Sequence, residues 1–288
     1  MLGLEDLEIG LMFWAGEDPV ETLRSVKKFG LRAGQLGLGG TLPLQNAAER
    51  WDQALTQENF TATTAVCSFD GEDYSDIPSV LRTVGLVPAA TREARIARIR
   101  EVSEVAGKLG IDSIACHIGF LPHDPKDPFY REMQKVTLDL CRYCHGNGQR
   151  FTLETGQEPA KVLLRFIEDV HHPALKINFD PANMILYGTG DPVEALDTLG
   201  KFVISVHCKD GDWPAMDRPQ SLGEELPLGK GKVNLPAFIA KLKEIGYRGL
   251  LSIEREGASG KQREHDIKEA IALLRNLTGR VDAEAAKV

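Results

Sequence analysis

Short apolar runs alternate with longer segments of helical periodicity along the whole chain. The short runs are rich in β-branched and other apolar residues and predict eight strands, at 8–15, 33–38, 61–69, 113–119, 150–156, 175–180, 202–210 and 249–256. Apolar residues at helical spacing predict helices at 18–29, 45–59, 92–109, 129–146, 158–171, 192–200, 235–245 and 261–276. The pattern therefore indicates eight successive strand–helix units.

Helix starts in this pattern carry the expected residues. Asp18 precedes Pro19 and Asp191 precedes Pro192, and each pair places an N-cap before a proline in the first helical turn. Eight strand–helix units without a break in composition favour an α/β fold, a (β/α)8 TIM barrel, as a single domain over residues 1–288 with a frayed tail at 280–288. A doubly wound open sheet is the alternative, but neither GxGxxG nor GxxxxGK[ST] follows the first strand.

The three longest non-periodic stretches, 70–90, 119–128 and 211–234, each follow a strand. They are predicted to lie on the C-terminal face of the barrel, where active sites of this fold are built.

Charge and cysteine usage narrow the function classes. The chain has 34 Lys and Arg against 42 Asp and Glu, a formal charge of −8, which disfavours nucleic acid as a partner. The N-terminal segment lacks a basic and apolar leader, and no apolar run approaches the roughly 20 residues of a membrane span, so we expect no membrane association and a cytoplasmic protein. The odd count of five cysteines argues against a disulfide framework. Cys141, Cys144 and His145 have no second CxxC to complete a zinc site.

Acidic residues and a histidine stand at the ends of four consecutive predicted strands: Glu154, Asp180, His207 and Glu254. Three carboxylates converging on one rim would repel one another, and one divalent cation compensates them. The oxygen-rich set with a single imidazole suits Mn²⁺, Mg²⁺, Co²⁺ or Zn²⁺. Each residue also has a structural alternative, namely a helix cap for Asp180, an ion pair with Arg255 for Glu254, a turn contact for Glu154 and core packing for His207. The four structural explanations would all have to be true at once to account for the pattern, so the pattern as a whole favours a metal site.

The segments TLETG, NFDPAN, VHCKDGDW and PLGKGKVNLPAFIAKLKEIGYRGLLSIERE resemble the sugar phosphate isomerase/epimerase family. These are xylose isomerase-like TIM barrels that include tagatose epimerase, hydroxypyruvate isomerase and inosose dehydratase. The resemblance covers nearly the whole chain and is strongest from 150 to 256. It implies metal ligands at Glu154, Asp180, His207 and Glu254, with the two glutamates as an acid/base pair on opposite faces of a bound keto sugar.

The chain departs from its relatives at two places. Several relatives carry a histidine that touches the substrate or a second metal three residues after the metal-binding aspartate, where this chain has Asn183. The same superfold includes a trinuclear-zinc endonuclease for abasic DNA, whose extra ligands would fall within 211–234. That stretch contains no histidine, which together with the negative charge disfavours the nuclease branch.

Further candidates for substrate binding stand near the same rim. His117 at the end of strand four and His123 in the following loop are the next histidines, with a packed strand-end histidine as the alternative for His117. Lys209 is expected to neutralise an enediolate or a phosphate, or to form an ion pair with a neighbouring aspartate. Trp14 is expected to form an apolar wall for a sugar ring, or to be a core residue.

The sequence thus predicts a metal-dependent isomerase or epimerase that moves a proton on a keto sugar or a related hydroxy-ketone through an enediolate. The alternatives are a dehydratase of the inosose type and a catalytically silent sugar-binding barrel. The expected partner is a small sugar-like molecule. The identity and phosphorylation of the sugar, and the choice between monomer and homo-oligomer, stay open.

Overall fold

Eight parallel strands close into a barrel, which confirms the predicted TIM-barrel fold. The structure is a computed structural model that describes residues 6–218 and 220–279, so the tail predicted at 280–288 lies outside the described residues. The barrel strands are β1 (Ile9–Trp14), β2 (Ala33–Leu38), β3 (Thr61–Cys67), β4 (Ser113–Cys116), β5 (Arg150–Glu154), β6 (Leu175–Phe179), β7 (Val203–Cys208) and β10 (Leu251–Ile253). Around the barrel they stand in the order β1, β10, β7, β6, β5, β4, β3 and β2.

Helices surround this barrel. They are α1 (Pro19–Lys27), α2 (Ala47–Glu58), α3 (Ile77–Thr83), α4 (Arg92–Lys108), α5 (Pro128–Gly146), α6 (Ala160–Val170), α7 (Pro181–Leu186), α8 (Pro192–Leu199), α9 (Leu235–Glu244) and α10 (Gly260–Thr278). A short 3₁₀ turn, Gly200–Phe202, leads into β7. No helix among residues 6–218 and 220–279 is both long enough and apolar enough to cross a membrane.

Three elements differ from the sequence prediction. Helix α3 lies within 70–90, and helix α7 follows β6 directly; both are shorter than two and a half turns, too short to show a clear helical period. Beginning one residue before the 211–234 stretch, the chain forms an antiparallel hairpin of β8 (Asp210–Asp212) and β9 (Glu224–Leu226). These three elements all lie on the C-terminal side of the barrel strands.

The core is divided by the barrel wall, because successive residues of a strand face opposite sides. Leu11 and Phe13 of β1 belong to the large apolar core between strands and helices. Met12, between them, packs with Val66 and Ala115 in a small separate cluster of buried residues.

Candidate metal centre

Four side chains from four neighbouring strands meet at the C-terminal end of the barrel. Glu154 is the last residue of β5, Asp180 directly follows β6, His207 lies in β7 and Glu254 directly follows β10. All four are buried, and one ligand atom from each lies within 4.8 Å of the others. The structure therefore brings together the four residues that the strand ends predict.

The imidazole of His207 lies at the centre of the cluster. Its Nδ1 atom is 3.2 Å from Glu254 Oε2, 3.4 Å from Glu154 Oε1 and 3.6 Å from Asp180 Oδ2. Among the described residues, neither Nδ1 nor Asp180 Oδ2 has a hydrogen-bond partner, although both atoms are buried. Ligand atoms bound at roughly 2.1 Å around one ion are roughly 3.0–3.4 Å apart. The residues therefore fit a divalent cation.

The sequence left two roles open for Asp180, a helix cap and a metal ligand, and the two oxygens of its carboxylate suit one role each. Its Oδ1 accepts a 2.9 Å hydrogen bond from the backbone N–H of Asn183 and so caps helix α7. Its Oδ2 faces the cluster. The backbone N–H of Asp180 donates to Thr155 Oγ1 at 2.8 Å, which fixes the position of the residue.

The electrostatics of the cluster show how strongly the carboxylates favour positive charge. Burial opposes ionisation of Glu254, but His207 and Lys209 outweigh it and lower the pKa of Glu254 to about 2. Burial likewise opposes ionisation of Glu154, yet His117 and His207 hold its pKa well below the usual value. Burial opposes protonation of His207, whereas Glu254 and Glu154 raise its pKa well above 6.5.

Asp180 and Lys209 complete this charge balance. Burial raises the pKa of Asp180, and the nearby ammonium of Lys209 only partly offsets the effect. Burial disfavours the charged form of Lys209, but Glu254 and Asp180 raise its pKa well above 10.5. A buried site with three carboxylates thus draws in protons and an ammonium group, and a divalent cation would supply the same compensation.

Three of the residues predicted to bind substrate contact the ligand group directly. His117 Nε2 lies 3.3 Å from Glu154 Oε1, and Asn183 Nδ2 donates to the same oxygen at 3.2 Å. Lys209 Nζ donates to Glu254 Oε2 at 3.0 Å. Burial opposes protonation of His117, but Glu154 raises the pKa of the imidazole to about 9. These side chains hold the two glutamates in place.

A cavity of about 440 Å³ opens beside the cluster, within the range of small-molecule sites. Trp14 lines it and is 41% exposed, so Trp14 is not a core residue. The sequence reasoning missed several residues that also line the cavity, among them Glu72, Tyr74, Tyr187, Arg218 and Glu256. Their contact with the cavity depends on how the loops fold back over the barrel, which strand-end patterns do not reveal.

Two other sequence candidates lie elsewhere. His123 contacts Glu158 at 3.0 Å and is absent from the described residues that line the cavity. Cys141 and Cys144 are buried free thiols on α5, and within the described ranges no cysteine joins a group of three or more possible metal ligands.

An eight-stranded parallel barrel with a buried Glu–Asp–His–Glu cluster at its C-terminal face defines the class: a TIM barrel with a candidate metal centre. Residues 23–277 match the family described as xylose isomerase-like TIM barrel, and the chain belongs to this family. This confirms the resemblance seen in the strand-end motifs.

Similar proteins support the same fold. The crystal structure of a xylose isomerase domain protein from Planctomyces limnophilus is 40% identical, with a TM-score of 0.89 over 94% of this chain and 97% of that chain. The apo structure of the 3-keto-D-glucoside 4-epimerase YcjR from E. coli is 17% identical, with a TM-score of 0.68 over 94% of this chain and 99% of that chain. Protein MJ1311 of Methanocaldococcus jannaschii, which is described as uncharacterized, is 27% identical over 196 residues, and the match spans 64% of its length.

Proposed function

We propose that the protein is a divalent-metal-dependent isomerase or epimerase acting on a keto sugar or a related hydroxy-ketone in the cytoplasm. The observation that carries this proposal is the convergence of His207 Nδ1 and three carboxylates, all buried, beside a cavity large enough for a sugar. Family membership and the similarity in fold to a sugar epimerase agree with it.

The metal would be held by Glu154, Asp180, His207 and Glu254, a set that suits Mn²⁺, Mg²⁺, Co²⁺ or Zn²⁺. When bound, such a cation supplies Lewis acidity, which polarises a substrate carbonyl and makes the adjacent C–H more acidic. The rest of the chemistry falls to the side chains of the chain itself.

Glu154 and Glu254 are the proposed proton carriers. Strands β6 and β7 lie between their strands in the barrel, so the two carboxylates approach the cluster from opposite ends of a four-strand arc. A substrate lying between them would present one face to each glutamate. In an epimerisation one carboxylate removes the proton from carbon and the other returns a proton to the opposite face. In an isomerisation the proton returns to the neighbouring carbon.

The remaining predicted residues have supporting roles in this proposal. His117 and Asn183 hold Glu154 Oε1. A substrate hydroxyl that bonds His117 would replace the contact of its Nδ1 with Gln157. The ammonium of Lys209, beside Glu254, stabilises negative charge that develops on the substrate oxygen. Trp14 provides an apolar wall for the ring.

The experiment that tests the proposal is deuterium uptake from D₂O into a panel of keto sugars. Protein stripped with a chelator and then reloaded with Mn²⁺ is expected to catalyse deuterium incorporation into the sugar at the carbon next to the carbonyl. Stripped protein is expected to catalyse none. Glu154→Gln and Glu254→Gln are each expected to abolish product formation, because an amide cannot accept the proton. Glu158→Gln is the matched control, since Glu158 is a buried carboxylate on the same side that bonds Leu121 N–H and His123.

The pattern of exchange separates the possible reactions. In an epimerase, each glutamine variant keeps exchange from the face served by its surviving carboxylate while product formation is lost. Near-normal turnover by either variant would refute the two-base scheme and favour a one-base isomerase, and loss of water would identify a dehydratase. Absence of exchange with every sugar in metal-loaded wild type would contradict the proposed substrate class and favour a silent binding barrel.

A further inference from the structure

A glutamine inside the barrel contacts the metal-facing histidine from behind. Gln35 lies in the middle of β2 and is fully buried. Its Oε1 atom is 2.9 Å from His207 Nε2, the ring nitrogen that points away from the carboxylates. Its Nε2 atom donates to the carbonyl oxygen of Val206 and to Asn178 Oδ1, both at 3.3 Å. Filling this space would not require a polar side chain, because an apolar residue of similar size would also pack there.

The contacts of Gln35 set the direction of its amide. A backbone carbonyl only accepts hydrogen bonds, so the NH₂ end of Gln35 must face Val206 and the oxygen must face His207. An amide oxygen also only accepts, so His207 Nε2 carries the hydrogen. When a cation takes the place of the proton on Nδ1, the ring keeps its one N–H at Nε2, and the Nδ1 lone pair is directed at the cation position among the three carboxylates.

A second amide near the same nitrogen favours the opposite arrangement. Asn178 Nδ2 lies 3.2 Å from His207 Nε2, and donation from this amide would require Nε2 to be an acceptor with the hydrogen on Nδ1. A protonated Nδ1 cannot bind a cation. The contact to Gln35 is the shorter one, 2.9 Å against 3.2 Å, and favours the tautomer with the hydrogen on Nε2.

We propose that Gln35 is a positioning residue that selects the His207 tautomer able to bind the cation. Gln35 does so through one hydrogen bond, against the competing amide of Asn178. Among the described residues, Gln35 is neither one of the four candidate ligands nor a residue that lines the substrate cavity. The inference rests on the metal centre of the proposed function. It adds that this centre depends on Gln35, a residue on the far side of the barrel.

The variant Gln35→Met tests this directly, because it keeps the length of the side chain and removes the acceptor. With Asn178 alone beside His207 Nε2, the hydrogen moves to Nδ1, and Mn²⁺ affinity is expected to fall about 10- to 100-fold, the usual effect of losing such a partner. Gln35→Glu keeps an acceptor oxygen facing His207, and in its neutral acid form it can still donate its O–H to the Val206 carbonyl, so it is expected to retain Mn²⁺ affinity within a few-fold. Isothermal titration calorimetry with Mn²⁺ measures both.

Gln149→Met is the matched control for burial. Gln149 is also buried, and its Nε2 donates to the carbonyl oxygens of Ser103 and Ile111 at 3.0 Å, away from the cluster. This control is expected to lose stability without losing Mn²⁺ affinity. Unchanged affinity in Gln35→Met, or equal losses in Gln35→Met and Gln35→Glu, would overturn the proposal.

Nitrogen-15 NMR of His207 supplies a readout that a purely structural role would not move. In wild type loaded with Zn²⁺, the Nε2–H of His207 is expected to be hydrogen-bonded to Gln35, with a downfield proton resonance and slow exchange with solvent, and Gln35→Met is expected to lose both features. If wild type binds no metal, the metal centre is refuted, and the Nε2–H resonance of the metal-free protein still reports whether Gln35 accepts its hydrogen bond. If Gln35→Met does not fold, the wild-type spectrum and Gln35→Glu decide the question, and an Nε2–H in wild type that shows no hydrogen bond refutes the proposal.

Discussion

Asp180 shows how one side chain serves both the fold and the site. Its Oδ1 caps helix α7, while its Oδ2 is buried at the cluster without a hydrogen bond from the described residues. Leaving a buried carboxylate oxygen unpaired is costly. The helix cap uses only Oδ1 and does not explain why Oδ2 is buried without a hydrogen bond from the part of the chain that the structure describes. A bound cation would explain it.

Asp180→Asn is expected to separate these two roles. The amide oxygen can still cap the helix, so the free energy of unfolding should change by less than about 1 kcal/mol. Loss of one negative charge should weaken Mn²⁺ binding by about tenfold or more, because a charge at about 4 Å contributes several kcal/mol before desolvation. Urea unfolding and Mn²⁺ titration measure the two effects.

Asp191→Asn is the matched control. Asp191 also precedes a proline and caps a helix, with Oδ1 accepting from the N–H groups of Val193 and Glu194, but it is exposed and outside the cluster. Its Mn²⁺ affinity should equal that of wild type. If Asp180→Asn behaves in the same way, Asp180 is only a cap.

The strand-end pattern led to the four residues that the structure brings together, but not to the side chains that contact them. The carboxyl ends of parallel strands share one rim, so a strand-end position is enough to place Glu154 or Glu254 near the other ligands. Gln35 and Asn178 meet only because β2 and β6 face each other across the barrel interior. That contact depends on the closure of the barrel and on side-chain direction, and neither is visible in a local pattern.

At the scale of elements, the β8–β9 hairpin and helix α10 are joined to the end of β10 beside the cluster. Arg255, the residue after the ligand Glu254, donates to Asp266 on α10 at 2.8 Å and to Glu225 on β9 at 2.7 Å. Glu225 also accepts the N–H of Gly257 at 3.0 Å. Arg255, which directly follows the candidate ligand Glu254, thus anchors both the β8–β9 hairpin and helix α10.

The hairpin was missed in the sequence for a physical reason. Its strand Asp210–Asp212 has the sequence DGD, which has little intrinsic strand preference. The carboxylate of Asp210 holds it by accepting the N–H groups of Gly229, Gly231 and Val233 at 2.9 to 3.1 Å. A Cβ atom on Gly231 would lie 2.2 Å from Asp210 Oδ1, so only glycine fits there. Buried side-chain contacts of this kind are not encoded in periodicity.

Asp266→Ala tests the anchoring of α10. Asp266 and Arg255 are both buried, and removing one partner of a buried ion pair costs up to about 3–5 kcal/mol, with the low end expected here because Arg255 keeps Glu225 as a partner. Asp197→Ala, which removes an exposed partner of Lys241, should cost about 1 kcal/mol or less. Urea unfolding at neutral pH compares the two variants, and equal losses would contradict the account.

The pH dependence of Asp266→Ala follows from the same pair. Burial raises the pKa of Asp266, but the hydrogen bonds from Arg255 and Gln262, together with the charge of Arg255, outweigh it and lower the pKa below 3.8. A lowered carboxyl pKa contributes stability above pH 3.8 that is lost as the pH falls through the folded-state pKa. The difference in unfolding free energy between wild type and Asp266→Ala should therefore shrink below that pH, and a constant difference would argue against the ion pair.

For the whole molecule, the closed barrel concentrates negative charge at one end of an acidic chain. The formal charge is −8, and three carboxylates are buried together at the C-terminal face. This distribution favours a cation in the site and opposes a polyanionic substrate. The eight barrel strands and the fold could be predicted from the sequence because each strand–helix unit repeats one local pattern.

Metal binding should stabilise the whole barrel, because the four donors come together only in the folded chain. An ion present at about 100 times its dissociation constant stabilises the folded state by about 2.7 kcal/mol. The thermal midpoint of unfolding should rise with added Mn²⁺ and fall with chelator in wild type. His207→Ala should show neither shift, and an equal rise in that variant would assign the effect to another site.

We expect no endonuclease activity on abasic DNA. The charge of −8 opposes approach to the phosphate backbone, and 211–234 has no histidine with which to build a multi-zinc cluster. Purified, nuclease-free protein loaded with Zn²⁺ or Mn²⁺ should leave an abasic duplex intact. Nicking that increases with protein concentration would overturn this prediction.

The central claim is that Glu154, Asp180, His207 and Glu254 bind one divalent cation. The most direct measurement is an anomalous difference map from crystals of the protein loaded with Mn²⁺. We predict one strong peak per chain, within roughly 2.0–2.3 Å of an oxygen of each carboxylate and of His207 Nδ1. A peak elsewhere, or none at these four side chains with Mn²⁺ in excess, would contradict the claim.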